Sequence, residues 1–493
     1  MDRLIFATVL MLASFVAGTA RGQGDPAELT AVEAAAQIRA GTLTSEALVS
    51  ALAVRIERGG QFNAFISFDR DAALAKARDL DRLAQKKQFK GPLHGVPIVV
   101  KDNIHVAGFA NTAGTPALKG FRPSANAPVI EALVNAGAII IGKTNLHELA
   151  FGITSNNAQF GAVANAYDPT RFAGGSSGGN GAAIALRMAP AGIGSDTGGS
   201  VRIPAALNGI AGLRPTKGRY STEGVTPIST TRDTLGSMAR SFADLALLDG
   251  VITGSKGPTM PANLERIRIG VERAYFFNNL DTETAELTER ALWRLKAEGA
   301  EIVEIEMPGL ADLMKMALPI PPYEAQRAIA AYLEKYRAGV DLAQLTAQIA
   351  SPDVKAVFEN AVLPGSKGAP SDAAYRDAMH KARPGLAALY AQTFRKYRIS
   401  AIAFPTTVAP AQPIKGADRT FKLNGQDVPT FPTFTRNMGP GTIPGVPSIT
   451  VPIARTGAGL PIGLTLDGPM DSDRRLLALG MALEKVYGTL PPP

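Results

Sequence analysis

Hydrophobic residues recur at a helical spacing near the start of the chain. Leu48, Leu52 and Ile56 stand at positions i, i+4 and i+8 within residues 45–58, and this period predicts an amphipathic helix. Thr44 has the side chain of a helix N-cap, and the glycines at 59–60 would end the helix. We expect the apolar stripe of this helix to pack inside the molecule.

A second pattern is the short continuous apolar run. Residues 96–100 are apolar throughout, which is typical of a strand buried on both faces. The run ends at Lys101, so the amine of Lys101 is predicted to emerge at a strand end where little water is present.

Residues 127–144 combine the two patterns. They predict a helix at 127–136, a buried strand at 138–141 and then a turn. The same stretch, from Gly137 to Thr144, fits the phosphate-loop expression G-x-x-x-x-G-K-[ST]. We reject that interpretation because the four middle residues are Ala-Ile-Ile-Ile, which belong in a strand and not in a loop whose amides surround a phosphate.

The chain as a whole has the composition of an α/β protein with one large domain. Its 493 residues, 46% of them hydrophobic, are enough for a sizeable core, and β-branched runs are mixed with alanine-rich helical stretches. Two helix-rich stretches at 281–298 and 372–397 flank a predicted proline-rich loop at 319–323.

The first 22 residues have the anatomy of a secretory signal peptide. Asp2 and Arg3 precede an apolar run at 4–17, and small residues follow at 18–22. The run is shorter than the roughly 20 residues that span a bilayer, so we expect no stable membrane anchor. A periplasmic or secreted location is predicted, with a cytoplasmic one as the alternative. The lack of cysteine agrees with export.

The net charge of +8 is spread along the chain. Its densest basic cluster, at residues 86–90, follows a predicted helix that ends near Gln85. Cations at a helix C-terminus complement the helix dipole, so the cluster is typical of a solvated helix end. We expect no nucleic-acid partner.

Two glycine–serine clusters give the strongest indication of function. Residues 174–179 read Gly-Gly-Ser-Ser-Gly-Gly, and residues 194–204, after a short helical spacer, read Gly-Ser-Asp-Thr-Gly-Gly-Ser-Val-Arg-Ile-Pro. Glycine lets backbone N–H groups crowd a ligand and lets a serine occupy a tight turn. Each cluster is therefore suited to present a hydroxyl beside backbone donors.

A serine nucleophile needs a base. The hydroxyl is a poor nucleophile near neutral pH and must pass its proton to a neighbour as it attacks. Lys101 can accept that proton only when it is neutral, which burial favours by lowering the lysine pKa. The Ser176 hydroxyl is donor and acceptor at once and could pass the proton from Ser200 to Lys101. These residues predict a hydrolase that uses no metal and no cofactor.

The order and spacing of Lys101, Ser176 and Ser200, with both glycine clusters, resemble the amidase signature family. The similarity covers roughly residues 28–487, including the stretches 142–145, 169–171, 208–216 and 444–448. It implies that Lys101 is the base, that Ser176 lies on a cis peptide bond and relays the proton, and that Ser200 is the nucleophile. It also implies an oxyanion hole made by the amides of Thr197, Gly198, Gly199 and Ser200.

The resemblance also implies a fold. In that fold a central mixed β-sheet is covered by helices on both faces. An N-terminal helical layer would occupy residues 23–90, and a catalytic domain residues 91–487 with a helical insert near 258–397.

Within the family, residues 112–118 and 231–234 are similar to bacterial arylalkyl amidases of the mandelamide and indoleacetamide hydrolase type. Cleavage of a small carboxamide to an acid and an amine or ammonia is therefore expected. Most candidate pocket residues are aromatic or aliphatic, which favours an aryl substrate over a charged one. They are Ala150, Phe151, Gly152, Ile153, Phe404, Thr406, Phe431, Phe434 and Ile443.

Several alternatives stay open. The same acyl-enzyme chemistry accepts aryl esters, anilides and carbamates, and the family includes glutamyl-tRNA amidotransferase A subunits. A non-catalytic relative that kept the fold is a further alternative. The sequence leaves open whether the protein is a monomer or a homodimer.

Two other motifs are rejected. Residues 174–178 fit the G-x-S-x-G elbow of α/β-hydrolases, but turn residues precede them and His380, in a polar helical context, is the one histidine left as base. His147 and Glu148 begin a zinc-protease motif, but Phe151 occupies the position of its second ligand.

Overall fold

An 11-stranded β-sheet runs through the computed structural model, which describes residues 24–493. The predicted signal peptide at 1–22 lies outside these residues. The strands are β1 Phe65–Phe68, β2 Pro97–Lys101, β3 Ile139–Thr144, β4 Asn156–Asn157, β5 Gly161–Ala162, β6 Ala191–Asp196, β7 Ala211–Arg214, β8 Thr234–Ala239, β9 Arg268–Glu272, β10 Glu301–Ile305, β11 Ala401–Pro405, β12 Thr420–Leu423, β13 Gln426–Pro429, β14 Ser448–Arg455 and β15 Pro461–Asp467.

Helices connect the strands. They are α1 Ala31–Ala40, α2 Ser45–Arg58, α3 Arg70–Gln85, α4 Pro128–Asn135, α5 Gly178–Ala185, α6 Arg202–Leu207, α7 Phe242–Thr253, α8 Arg273–Phe276, α9 Thr282–Ala297, α10 Leu310–Met316, α11 Ile320–Lys335, α12 Leu342–Ala347, α13 Pro352–Val357, α14 Asp372–Asp377, α15 Arg383–Tyr397, α16 Thr430–Thr435, α17 Gly439–Thr442 and α18 Asp473–Tyr487. A π-helical turn, Ala378–Ala382, joins α14 to α15.

The large sheet is mixed. Its strand order is β1-β3-β2-β6-β8-β7-β14-β15-β11-β9-β10. The pairs β3–β2, β2–β6, β11–β9 and β9–β10 are parallel and the others antiparallel. Two small hairpins, β4–β5 and β12–β13, lie outside it. The predicted α/β fold with a mixed central sheet is confirmed.

Hydrophobic cores lie on both faces of this sheet. Along β11, Ala401 and Ala403 pack into one core, and Ile402 and Phe404 pack into another. Successive side chains of a strand point to opposite faces, so the two cores are separated by the sheet. Helices α2, α7 and α18 contribute to the first core and α10 and α15 to the second, and the sheet is thereby flanked by helices.

The amphipathic helix near the start of the chain is confirmed. Leu48, Leu52 and Ile56 are buried along one side of α2. The Thr44 hydroxyl accepts the N–H of Ala47 (3.1 Å), and Gly59 is the C-cap.

Two local predictions were wrong. The turn predicted after Ile141 is absent because strand β3 continues to Thr144, where it pairs with β1 on one side and β2 on the other. The loop predicted at 319–323 is the start of α11. Proline is tolerated in the first turn of a helix, where its missing N–H has no intrahelical acceptor, so this proline-rich run begins a helix rather than preventing one.

None of the helices within residues 24–493 combines the length and apolar character needed to cross a lipid bilayer.

The close contact between α5 and its neighbours makes the first glycine cluster a determinant of stability. A Cβ on Gly179 would overlap the carbonyl oxygens of Ala64 and Asn145 and lie 2.6 Å from the Asn145 nitrogen. We predict that Gly179→Ala lowers the free energy of unfolding by about 1–3 kcal/mol, because backbone atoms cannot move aside cheaply. Urea denaturation would measure the loss. Gly120→Ala is the control, since a Cβ there meets no atom within 4 Å. Equal stability of the two variants would contradict this account.

Candidate active site

The amine of Lys101 lies at the centre of the candidate site. Strand β2 ends at Lys101 and buries its side chain completely. Its Nζ donates to Ser176 Oγ (2.7 Å) and to Ser195 Oγ (2.9 Å). Burial lowers the Lys101 pKa to about 7, and the charges of Asp196 and Asp233 oppose this shift only in part. A large fraction of this lysine is therefore neutral near pH 7.

The backbone around Ser176 is held on several sides. The peptide bond between Gly175 and Ser176 is cis, as the resemblance implies. The carbonyl oxygen of Ser176 accepts the His147 N–H (3.2 Å), and Ser155 Oγ donates to the carbonyl of Gly174 (2.8 Å). The Ser176 side chain is fully buried. Its hydroxyl is thus shielded from bulk water and placed to exchange a proton with Lys101.

Ser200 lies in the turn between β6 and α6, where its residue is 8% exposed. Its carbonyl oxygen accepts the N–H of Ser177 (3.0 Å), which joins the two glycine clusters. No group within residues 24–493 hydrogen-bonds to the Ser200 hydroxyl. The structure therefore brings Lys101 and Ser176 into direct contact, and the Ser200 hydroxyl has no hydrogen-bond partner among the described residues.

The carboxylate of Asp196 fixes the turn after β6. Its oxygens accept the N–H groups of Gly199 (2.8 Å) and Val201 (3.2 Å), together with Arg202 Nε (3.1 Å) and Arg214 Nη1 (3.1 Å). Burial raises the Asp196 pKa, but the two guanidinium groups outweigh it and hold this pKa well below its usual range. A permanent anion thus organises the backbone of the turn.

The backbone N–H groups of this turn differ in whether they have a hydrogen-bond acceptor. The Gly199 N–H is used by Asp196, whereas those of Thr197, Gly198 and Ser200 donate to no group in the described part of the chain. Gly199 has φ +114°, and a Cβ there would approach Met438 Cγ to 2.5 Å, so only glycine fits. Three N–H groups of this turn therefore have no acceptor among the described residues.

Two residues near the lysine were not predicted: Ser195, which contacts Lys101, and Asn103, which contacts Ser195. Asn103 Nδ2 donates to Ser195 Oγ (3.0 Å), and Ser195 Oγ in turn contacts Lys101. Both lie in stretches that the sequence singled out, since Asn103 follows Lys101 by two positions and Ser195 begins the second cluster after its first glycine. The signal was available, but only the pairing of β2 with β6 shows that these side chains meet.

The predicted pocket residues have different environments. Ala150 lines a small polar cavity with Asn103, Ser195 and Thr197. Phe404 stacks on Phe276 at 4.2 Å and 11°, and Phe434 is fully buried. These two rings belong to the core on one face of the sheet. Phe431, by contrast, is 53% exposed.

The histidines of the rejected motifs have other surroundings. His147 Nε2 lies 2.9 Å from Asp353 Oδ2, and the Glu148 carboxylate accepts the N–H groups of Ala350 (3.1 Å) and Ser351 (2.7 Å). His147 and Glu148 thereby attach the loop beside Ser176 to α13. His380 is exposed in the π-helical turn.

Comparison with known proteins identifies the family of the chain. The family model described as Amidase matches residues 47–477. The chain is 42% identical to mandelamide hydrolase of Pseudomonas putida over 94% of this chain and 93% of the relative. It is 41% identical to indoleacetamide hydrolase of Agrobacterium vitis, over 89% and 92% respectively. The crystal structure of native peptide amidase from Stenotrophomonas maltophilia superposes with a TM-score of 0.80 at 30% identity, covering 94% of this chain and 98% of that one.

The resemblance found in the sequence is therefore confirmed. The chain belongs to the amidase family and is a hydrolase that acts on amide C–N bonds.

Proposed function

We propose that this enzyme hydrolyses a small carboxamide with an aryl or arylalkyl acyl group, through an acyl-enzyme on Ser200. One observation carries the mechanism: a fully buried lysine, with a pKa lowered to about 7, contacts the hydroxyl of Ser176 beside the turn that holds Ser200. The named substrates of the two bacterial relatives, mandelamide and indoleacetamide, support the aryl-bearing acyl group.

In the acylation step, Ser200 Oγ attacks the amide carbon as its proton passes to Ser176, and the Ser176 proton passes to neutral Lys101. A C–O bond forms and the carbonyl π electrons move to the oxygen. The free amides of Thr197, Gly198 and Ser200 are the donors for that oxyanion. The C–N bond then breaks, and the leaving nitrogen takes a proton back from Lys101 through Ser176.

Deacylation repeats the same proton path with water in place of Ser200. Water loses a proton toward Lys101 as it attacks the ester carbon, and the Ser200 oxygen leaves and is reprotonated. The products are a carboxylic acid and ammonia or an amine. Because an ester or carbamate can form the same acyl-enzyme, the ratio of kcat/KM among matched amides, anilides, esters and carbamates tests the amide assignment.

The buried lysine predicts a pH dependence. Lys101 is a base only when deprotonated, so kcat/KM of the free enzyme should rise with pH through a limb near 7 and level off above it.

Lys101→Ala should lower kcat/KM on an unactivated amide by about 10² to 10⁴, and Ser176→Ala combined with it should add little, since both serve one proton transfer. Lys119→Ala, an exposed lysine, is the control. Near-normal activity of Lys101→Ala would exclude lysine as the base.

The nucleophile can be identified by covalent labelling. A serine-reactive fluorophosphonate should modify Ser200 in the native enzyme, and Ser200→Ala should abolish labelling while the circular dichroism spectrum stays unchanged. Peptide mass spectrometry locates the adduct. Ser221→Ala, which changes an exposed serine, should label normally. An adduct on Ser176 in the Ser200→Ala protein would show that the roles of the two serines are wrongly assigned.

We also propose export, which is supported by the apolar run at 4–17 and the small residues after it. In a secreting host the mature protein should begin between Arg21 and Asp25. N-terminal sequencing of periplasmic or medium protein would show this directly. Recovery of the chain only from the cytosol, with its first residues intact, would contradict the proposal.

A further inference from the structure

One arginine beside the turn after β6 has no anionic partner. Arg232 Nη2 donates to Thr442 Oγ1 (2.8 Å), and its Nε is buried with no hydrogen bond. Among residues 24–493 no carboxylate lies within ion-pair distance of this guanidinium. The Nη2 atom faces Gly198, because a Cβ placed on Gly198 would lie 3.4 Å from it.

Two further cations contact the segment 442–445, to which Arg232 also bonds. Arg383 Nε donates to the carbonyl of Ile443 (3.2 Å), and its Nη2 to the carbonyl of Thr231 (3.5 Å). Lys217 lies against Gly445, and burial lowers its pKa although the charge of Asp233 opposes this shift. Neither Arg383 nor Lys217 forms an ion pair with a described residue.

The nearby carboxylates are already bound by other groups. Asp233 accepts the Thr197 hydroxyl (2.5 Å) and the N–H groups of Ile228 (2.8 Å) and Ser229 (2.9 Å). Glu324 of α11 accepts the Ser229 hydroxyl (2.5 Å) and the Tyr375 hydroxyl (2.8 Å). These bonds fix the loop that carries Arg232. The charges of Asp233, Asp196 and Glu324 act on its guanidinium from a distance, but none of these carboxylates forms an ion pair with it.

A buried cation without a partner is costly, and a planar guanidinium with free N–H donors matches a carboxylate in shape and charge. We infer that Arg232, supported by Arg383 and Lys217, forms a carboxylate-binding subsite beside the turn after β6. This inference rests on the proposed function. The preferred substrate is then an arylalkyl amide whose acyl part also carries a carboxylate a few atoms from the scissile carbonyl.

A carboxylate-binding subsite favours a charged substrate, whereas the predicted pocket residues favour an uncharged one. That set is mostly apolar and favours an uncharged aryl group, but it omitted Arg232, although the sequence comparison had singled out residues 231–234. Two of the aromatic members, Phe404 and Phe434, are fully buried in the core. The charge of the site is therefore set by residues outside the predicted pocket.

The test compares two amides that differ in one group. The neutral amide is β-phenylbutyramide, and its partner has a carboxylate in place of the terminal methyl group. We expect the native enzyme to show a kcat/KM about tenfold or more higher for the carboxylate amide, since hydrogen bonds to charged groups are the strong ones. Arg232→Gln should reduce this ratio at least tenfold, and Arg232→Lys, which keeps the charge without the fork, should reduce it less. Arg290→Gln, an exposed arginine, should keep the native ratio.

The outcomes separate this inference from the proposed function. Suppose that the native enzyme hydrolyses phenylacetamide but has a higher kcat/KM for β-phenylbutyramide than for its carboxylate partner, or does not cleave that partner at all. The carboxylate subsite is then wrong, and the amidase activity stands. If Arg232→Gln folds and keeps the native ratio, the subsite is also wrong. If no amide at all is hydrolysed, the proposed function fails. The comparison on the native enzyme decides the matter even if an Arg232 variant does not fold.

Discussion

The proposed chemistry depends on one buried amine, that of Lys101, whose pKa burial lowers to about 7. Lys101 has lost its water, and burial alone favours its uncharged form. A free carboxylate nearby would reverse that preference and turn a base into half of an ion pair. The neighbouring carboxylates are bound by other groups, and the charges of Asp196 and Asp233 oppose the lowering of the Lys101 pKa only in part. Asp102 pairs with Lys143 at 2.9 Å, both fully buried, and Asp196 is held by Arg202 and Arg214.

The same arrangement builds the rest of the active site. Because two arginines keep Asp196 ionised, its oxygens can organise the turn after β6, engaging Gly199 and Val201. The amides of Thr197, Gly198 and Ser200 have no acceptor among the described residues. In the proposed mechanism these amides are the oxyanion donors. Arg232, on the loop before β8, forms no ion pair with a described residue.

Much of this architecture could be predicted from the sequence, because local patterns encode it. The apolar run before Lys101 and the two glycine clusters indicated a buried lysine near two serines. What could not be predicted depends on strand pairing between distant segments. The contact of Ser195 with Lys101, and that of Asn103 with Ser195, follow from β2 lying beside β6. The proline-rich start of α11 was misassigned because proline both prevents helices and begins them. Core and pocket aromatics such as Phe404 could not be separated, because composition does not show which face of a strand meets substrate.

The protonation state of Lys101 can be measured without substrate. Nuclear magnetic resonance of the enzyme labelled with ¹⁵Nζ-lysine, with Lys101→Arg used to assign the signal, would follow the amine directly as pH is raised. A titration near pH 7 is the result that burial without a free counter-charge predicts. A Lys101 amine that stays protonated up to the ordinary lysine pKa of 10.5 would contradict the neutral-base mechanism.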